Sequence, residues 1–233
     1  MSKAKAPARR QATVSEDDGI DLPDAWRRRP WIPLFISGLV IAALVGSGLL
    51  IDEALKTPRP TALDGCTTST QIAPHQFISR QPICITAEHK YQATINTTQG
   101  AIVIQLHPEV APVTVNNFIV LALNGFYNGM TWKTDDMVAQ AGDPIGDGTG
   151  GPGYTLPDEP NTTPAWGLGA VGMARPVGAP INGSQFFIER AAWPGKGPTA
   201  VYNRFGTVIK GMNLAQQLSS PSDKIISISI QVG

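Results

Sequence analysis

One short run, residues 182–188, places two side chains with binding chemistry on the same face of a strand. Because side chains alternate with a period of two along a strand, the Gln185 amide and the Phe187 ring point the same way. Phe186 and Ile188 then face a core, and the Asn-Gly pair that opens the run supplies the turn before the strand. An amide beside an aromatic wall is a pairing suited to binding a peptide.

Other chemistries fit the sequence poorly. His75, His89 and His107 are isolated, and the two cysteines lack the CxxC spacing of zinc sites, so no metal site is predicted. Residues 146–151 match the letters of a dinucleotide-binding fingerprint, but a Pro-Gly pair follows where the phosphate-binding helix should begin. This mismatch rules out the dinucleotide fingerprint, and no cofactor is expected. Ser184 has no nucleophile-elbow setting, so a Ser-His-Asp triad is not expected either.

Charge is balanced over the whole chain, with 18 Lys/Arg and 18 Asp/Glu, but it is unevenly divided. Residues 1–30 carry seven Lys/Arg against five Asp/Glu, whereas residues 91–233 carry seven against nine. A slightly acidic main domain is a poor match for nucleic acid, which binds basic surfaces. Nucleic acid is therefore not a predicted partner.

An uncharged run of 21 residues, 31–51, directly follows three arginines. It is long enough to cross a bilayer core of roughly 30 Å as a helix rising about 1.5 Å per residue. The alternatives are a cleaved signal peptide, a buried core helix and an interfacial helix, but no small-x-small cleavage site closes the run, and the run is apolar on all sides. We predict a single-pass anchor in the cell membrane, with residues 1–30 as a disordered basic tail in the cytoplasm. By the positive-inside rule the C-terminal bulk lies outside the cytoplasm.

Residues 52–90 are predicted to form a mixed tether, because four prolines are scattered among polar residues and short apolar stretches. Cys66 and Cys84 fall in this tether. Outside the cytoplasm the two thiols can close a disulfide, and two free thiols are the alternative. We favour the disulfide, because it adds about 3 kcal/mol of stability to a segment with little apolar core of its own.

Beyond the tether, apolar periodicity predicts a mainly β domain. Residues 91–95 and 102–106 alternate around a Thr-Gln-Gly turn, which indicates a β-hairpin. Pro112 opens a helix with an apolar face, and a second short helix is predicted around residues 212–218. Residues 226–232 alternate as a final strand, and such a regular strand needs partners on both edges. A closed barrel is therefore favoured over an open sheet.

Taken in order, several segments of residues 91–233 resemble the cyclophilins, the cyclophilin-type peptidyl-prolyl cis-trans isomerases. The runs that carry the resemblance are APVTVNNF (111–118), GFYNGMTW (125–132), QAGDP (140–144), GTGGPGY (148–154), GMA (172–174), NGSQFFI (182–188), FG (205–206) and GM (211–212). The resemblance implies an eight-stranded antiparallel barrel capped by two helices, with a groove for proline-containing peptides on its outer face.

The same resemblance assigns peptide-binding roles to particular residues of this sequence. The prolyl seat is expected from Met137, Val138 and Phe187, the hydrogen bonds to the peptide backbone from Gln140 and Gln185, and the lining beside them from Ala174. Tyr202 stands where the family commonly has His, and it can still pack against a peptide and donate a hydrogen bond.

The sequence departs from the family at the position of its catalytic donor. Trp132 is followed by Lys133 and Thr134 where the family has a His-Arg pair, and the segment to Gln140 is two residues shorter. A Thr hydroxyl is short and neutral, and loss of a well-placed donor typically lowers the rate by about 100 to 1,000-fold. Arg175, which stands where the family usually has Asn, is a candidate replacement, and its alternative is a solvated side chain paired with a surface acid. Lys133 is a weaker candidate, because alternation puts it on the opposite face from Thr134.

The predicted function is isomerisation of X-Pro bonds during the folding of exported proteins outside the cytoplasm, at a reduced rate. A non-enzymatic proline-peptide binding module tethered to the membrane is the alternative. A third hypothesis is a structural β domain whose groove is unused, but the retained Gln140, Gln185 and Phe187 weigh against it.

Overall fold

The structure is a computed structural model that describes residues 61–66, 70–159, 164–192 and 202–233. The predicted cytoplasmic tail and membrane anchor, residues 1–30 and 31–51, lie outside the described residues. Within the described part of the chain, no helix is both long and apolar enough to cross a bilayer.

The described chain contains two α-helices, a 3-10 helical turn and twelve strands. The helices are α1 (Pro112–Leu123) and α2 (Met212–Gln217), and the 3-10 turn is Thr61–Leu63. The strands are β1 (Gln71–Ala73), β2 (Gln76–Phe77), β3 (Tyr91–Thr97), β4 (Gly100–Leu106), β5 (Lys133–Thr134), β6 (Val138–Ala141), β7 (Thr155–Leu156), β8 (Ala170–Met173), β9 (Ile181–Asn182), β10 (Phe186–Glu189), β11 (Arg204–Lys210) and β12 (Ile225–Val232).

Eight strands form one curled antiparallel sheet in the order β12-β3-β4-β11-β8-β10-β6-β5. Strands β1 and β2 pair separately, as do β7 and β9. The predicted hairpin is confirmed, since β3 and β4 pair in register from Tyr91 with Leu106 to Thr97 with Gly100. Alternate residues of β3 are buried, so its apolar residues recur with a period of two, and this pattern predicts the strand.

The sheet is open between β5 and β12, which corrects the predicted closed barrel. Beside these two edges a single isolated bridge pairs Thr131 with Lys224. Strand β5 contains only two residues, because Asp135 turns the chain directly into β6. A strand of this length cannot form a ladder along the eight residues of β12.

The core lies between the concave face of the sheet and α1. Phe118 of α1 packs on Phe186 and Phe205 with ring centroids 5.4 and 5.1 Å apart. Phe186 and Ile188 are fully buried, as the alternation in this run predicts. The opposite face of the same strand is thereby left to form a site.

Helix α1 begins at Pro112, as predicted, but its first turn is completed by a distant residue. The Glu159 carboxylate accepts hydrogen bonds from the N–H groups of Val113 and Thr114, both at 2.9 Å. These are donors that a helix cannot satisfy internally, and the negative charge also suits the helix N-terminus. The contact fixes the segment around Glu159 against the domain.

The described part of the predicted tether is folded rather than extended. Leu63 and Cys66 are fully buried, and a disulfide joins Cys66 to Cys84. The Cys84 N–H donates to the side-chain oxygen of Asn116 on α1 at 2.8 Å. The compact unit therefore begins before the predicted boundary at Tyr91.

Candidate functional site

A groove lies on the outer face of β6, β8 and β10. Phe187 pairs with Gln140 on one side and with Gly172 on the other. Directly paired residues of an antiparallel ladder share a face, so these three positions form one row. A cavity of about 100 Å³ opens here, and its lining is Val138, Gln140, Ala174, Arg175, Phe187 and Tyr202. All six are among the residues singled out from the sequence.

Phe187 is held between two other aromatic rings. Trp166 stacks on it with a centroid separation of 5.9 Å and an interplanar angle of 14°, and Tyr202 meets it edge-on at 5.4 Å. Gly172 makes room for this arrangement, because a Cβ there would lie 2.7 Å from Trp166 Cη2 and 2.9 Å from Phe187 Cζ. The Phe187 ring is only 4% exposed, yet it lines the cavity, so it forms a fixed apolar wall.

Trp166 was not predicted to reach the groove. The available signal was Gly172, since a glycine inside a strand often marks the close approach of another group. The sequence could not identify Trp166 as the approaching group, because the conformation of the loop before β8 has no local sequence pattern.

The side chains of Gln140 and Gln185 are hydrogen-bonded to each other. Gln185 Nε2 donates to the carbonyls of Gly148 and Gly150 at 3.1 and 2.7 Å. This fixes the orientation of the Gln185 amide, whose Oε1 accepts from Gln140 Nε2 at 2.6 Å. Gln185 is 2% exposed and does not line the cavity, so it orients Gln140. Gln140 Oε1 is then the atom left to accept a peptide N–H.

Thr134, at the position of the family's catalytic donor, lies on the opposite face of the sheet from the groove. In the β5–β6 ladder Thr134 pairs with Ala139, and Lys133 pairs with Gln140. Ala139 is fully buried, so Thr134 lies on the core-facing side and Lys133 on the groove side. The structure therefore reverses the predicted orientation of these two residues.

The shortened turn between β5 and β6 explains this register. Asp135 Oδ1 accepts the N–H groups of Met137 and Val138 at 2.8 and 2.7 Å, and the Asp135 N–H donates to Val138 O at 3.0 Å. A turn closed by its own Asp side chain sets the pairing of the strands that it joins. Met137 lies in this turn, and the structure places Val138 but not Met137 among the residues that line the cavity, although both were expected there.

Arg175 lies at the rim of the cavity and forms an ion pair there. Its Nη2 donates to Asp158 Oδ1, and the Arg175 side chain is 19% exposed. The Nε atom is buried and has no hydrogen-bond partner among the described residues. Arg175 thus combines the two alternatives considered for it: it pairs with a surface acid and also lines the groove.

Asp158 is held in place from both sides. Asn203 Oδ1 accepts the Glu159 N–H at 2.7 Å, and Asn203 Nδ2 donates to Pro157 O at 2.9 Å. Together with the contact of Glu159 to the start of α1, these bonds fix the short segment that carries Asp158. Because this segment is fixed, the ion pair with Asp158 holds the Arg175 guanidinium in one orientation.

The chemistry available in the cavity is recognition without covalent catalysis. Its titratable lining residues are Arg175 and Tyr202, and no carboxylate, thiol or histidine is among the lining side chains. Over the ranges that the structure describes, no group of three or more His, Cys, Asp or Glu is placed to hold a metal ion. An apolar wall, one directed amide, one guanidinium and the Tyr202 phenol are the groups that a ligand would meet.

Fold and site together define a mainly β protein with a peptide-sized groove on the outer face of a curled eight-stranded sheet. Residues 92–229 match the family model described as cyclophilin type peptidyl-prolyl cis-trans isomerase/CLD. The chain belongs to this family of enzymes, the cyclophilin-type peptidyl-prolyl cis-trans isomerases.

Bacterial relatives and solved structures agree with this assignment. Peptidyl-prolyl cis-trans isomerase B of Bacillus subtilis (strain 168) is 42% identical over 119 residues, covering 50% of this chain and 81% of the relative. A peptidyl-prolyl cis-trans isomerase of Synechococcus elongatus is 36% identical over 143 residues, covering 60% and 95%. The Cryptosporidium parvum cyclophilin type isomerase cgd2_1660, in a crystal structure with the dipeptide Ala-Pro, is 28% identical with a TM-score of 0.53, covering 60% of this chain and 98% of its own.

Proposed function

We propose that this protein isomerises X-Pro bonds of exported proteins outside the cytoplasm, held at the membrane by residues 31–51. We further propose that Arg175 supplies the donor that the family's active-site strand provides elsewhere. One observation carries the proposal: Phe187 and Arg175 line the same cavity. The Arg175 Nε–H is buried and has no hydrogen-bond partner among the described residues. The relative crystallised with Ala-Pro supports a proline-containing peptide as the ligand.

The reaction requires binding energy and no covalent step. Amide resonance opposes rotation about the X-Pro bond with a barrier of roughly 18 to 20 kcal/mol. The twisted amide has lost resonance, so it is less polar than either planar form and its nitrogen regains a lone pair. An apolar seat with one directed N–H donor favours the twisted amide over both ground states. Phe187 and Val138 would supply the seat, and Arg175 would supply the donor.

The positions of Thr134 and Arg175 support a reduced rate. Thr134 lies on the side of the sheet away from the groove. The Nη2 atom of Arg175 is already engaged by Asp158, so the guanidinium approaches the groove through its remaining N–H groups. A donor that is shared with an ion pair stabilises a transition state less than a dedicated one.

Placement outside the cytoplasm is supported by the Cys66–Cys84 disulfide. Disulfides persist in oxidising compartments and are rare where thiols are kept reduced. The uncharged run at residues 31–51, preceded by arginines, supports attachment to the membrane in that orientation.

The role of Arg175 is tested by substitution in the full-length chain, assayed in detergent with an Ala-Pro peptide. Arg175→Ala should lower kcat by about 100-fold with a smaller change in KM, because a transition-state donor is lost. Arg175→Lys should recover only part of the rate, since an ammonium lacks the planar N–H fork. Lys210→Ala, which removes an exposed cation on β11, is the control and should leave both constants unchanged.

Full activity in Arg175→Ala would remove Arg175 from the reaction. If the wild-type chain binds the peptide and gives no acceleration, the alternative function, a membrane-tethered proline-peptide binding module, replaces the proposal.

A further inference from the structure

The segment of residues 70–85, here called the N-terminal support, lies outside the family match at residues 92–229 but is built into the folded unit. It contains the β1–β2 hairpin, which is closed by a hydrogen bond from the Ile78 N–H to Thr70 O at 2.9 Å. Its end is fastened by Cys84, which is bonded to the buried Cys66. The support is therefore an addition to the part of the chain that carries the family fold.

The support contacts residues 146–153, here called the glycine-rich loop. The Phe77 N–H donates to Pro152 O at 2.8 Å, and Gln76 Nε2 donates to Gly151 O at 3.4 Å. Gly153 has a φ of 93°, and a Cβ there would lie 2.7 Å from Phe77 O. The two segments are thus in direct backbone contact.

The glycine-rich loop in turn sets the orientation of Gln185. The carbonyls of Gly148 and Gly150 accept both amide hydrogens of Gln185 Nε2. Pro152 packs against Gly183, where an added Cβ would lie 2.5 Å from Pro152 Cγ. The loop therefore restrains Gln185 through its side chain and through the turn that precedes it.

The Phe77 ring supports the same turn by a second route. Phe77 is 4% exposed and meets Tyr154 edge-on at a centroid distance of 6.2 Å. The Tyr154 hydroxyl donates to Asn117 Oδ1 at 2.6 Å, and Asn117 Nδ2 donates to Gly183 O at 2.7 Å. One buried residue of the support thus touches both structures that hold Gln185.

We propose that Phe77 is a positioning residue for peptide binding. Its backbone N–H holds the glycine-rich loop, whose carbonyls orient Gln185. Its ring, which the variants below remove, supports the turn before Gln185 through Tyr154 and Asn117. Gln185 in turn orients the Gln140 amide that meets the peptide. This inference rests on the proposed function, because the orientation of Gln140 matters only if a proline peptide binds in the groove.

The test compares Phe77→Ala with Leu63→Ala in the full-length chain. Both variants shorten a buried apolar side chain of the region that precedes the family match, but only Phe77 has the ring contact with Tyr154 that leads to the turn before Gln185. Loss of stability alone lowers the folded fraction, and so the apparent kcat, and leaves KM unchanged. Phe77→Ala should raise KM for an Ala-Pro peptide about tenfold with kcat within about twofold, the effect of one misdirected hydrogen bond to the substrate. Leu63→Ala should leave KM unchanged.

Phe77→Leu serves as the milder variant, because it keeps most of the buried volume and loses the ring contacts. It should raise KM about threefold, and it decides the question if Phe77→Ala does not fold. An unchanged KM in the folded variants, beside an active wild type, would overturn the positioning role and leave the proposed function intact. An inactive wild type would remove the proposed function and this inference together.

Discussion

Gln140 and Gln185 have the same side chain but different tasks in the groove. Gln185 uses its whole amide within the protein, since Nε2 binds two carbonyls and Oε1 accepts from Gln140. Both residues were predicted to bind the peptide, because residue type and alternation cannot reveal which amide already has internal partners. The internal partners of Gln185 are carbonyls of the glycine-rich loop, and the conformation of this irregular segment cannot be predicted from its sequence.

The packing of Phe187 against Trp166 depends on Gly172. Gly172→Ala should lower kcat/KM for an Ala-Pro peptide about tenfold, because the new methyl group would lie 2.7 Å from Trp166 Cη2 and must displace the ring stacked on Phe187. The measurement is a steady-state isomerase assay on the full-length chain.

Gly65→Ala is the matched control for this substitution. Its new methyl group would meet Cys84 Cβ at an ordinary 3.9 Å, so kcat/KM should stay at the wild-type value. Wild-type kinetics in Gly172→Ala would show that the Trp166 stack does not set the shape of the seat.

Among the elements, those with clear periodicity were the predictable ones. The β3–β4 hairpin follows a run with a period of two, and Pro112 marks the start of α1. The last strand alternates only after a bulge between Ile225 and Ser227, which leaves Ile226 exposed although it was predicted to alternate with the other apolar residues. Strand β5 was not predictable, because two residues carry no period and their register is set by the Asp135 side chain in the turn. The orientation of Thr134 depends on that register, so the sequence alone could not give it.

The N-terminal support shows the same limit at the scale of a whole segment. All three residues of β1 are exposed, and β2 contains only two residues, so neither strand displays alternation. The support is ordered by the Phe77 ring, the Asn116 side chain and the disulfide, which are contacts with distant parts of the chain. The composition of residues 52–90, with scattered prolines and polar residues, therefore predicted an extended tether instead of a folded segment.

Asp223 links the β3–β4 turn to the chain beside the open edge of the sheet. Its Oδ1 accepts from Thr98 Oγ1 and Gln99 Nε2 at 2.8 and 2.9 Å, and its Oδ2 accepts from the Ser219 N–H at 2.8 Å. Burial raises the pKa of this carboxyl, but the hydrogen bonds from Thr98, Ser219 and Gln99 outweigh it, so the net pKa is lowered. The ionised form is therefore favoured in the folded state.

Asp223→Asn should lower the free energy of unfolding by about 2 kcal/mol at pH 7, because a charged acceptor of several hydrogen bonds is lost. A carboxyl with a lowered folded pKa contributes stability above its unfolded pKa of about 4 and loses it as the pH falls through the folded value. Urea denaturation should therefore show a difference between wild type and variant that is full at neutral pH and shrinks below about pH 4. A difference that is the same at pH 7 and pH 3 would contradict an ionised role for Asp223.

For the molecule as a whole, the structure adds a disulfide-closed segment to an isomerase domain. The family match covers residues 92–229, and the folded unit also includes the buried Leu63 and Cys66, which precede that match. The proposed anchor at residues 31–51 would leave a short connection between the bilayer and the support.

The compartment is tested through Cys66 and Cys84. In protein recovered from its native cells under acid quench, both cysteines should resist a thiol alkylating agent until a reductant is added, because the structure pairs them. Mass spectrometry of the alkylated peptides gives the readout. Full labelling of both thiols before reduction would contradict placement in an oxidising compartment.

The central claim is tested most directly by cis–trans exchange in an Ala-Pro peptide, followed by NMR with and without the full-length protein in detergent. The uncatalysed bond exchanges over tens to hundreds of seconds. We expect exchange to accelerate in proportion to the protein concentration. An uncatalysed exchange rate at protein concentrations that saturate peptide binding would contradict the account.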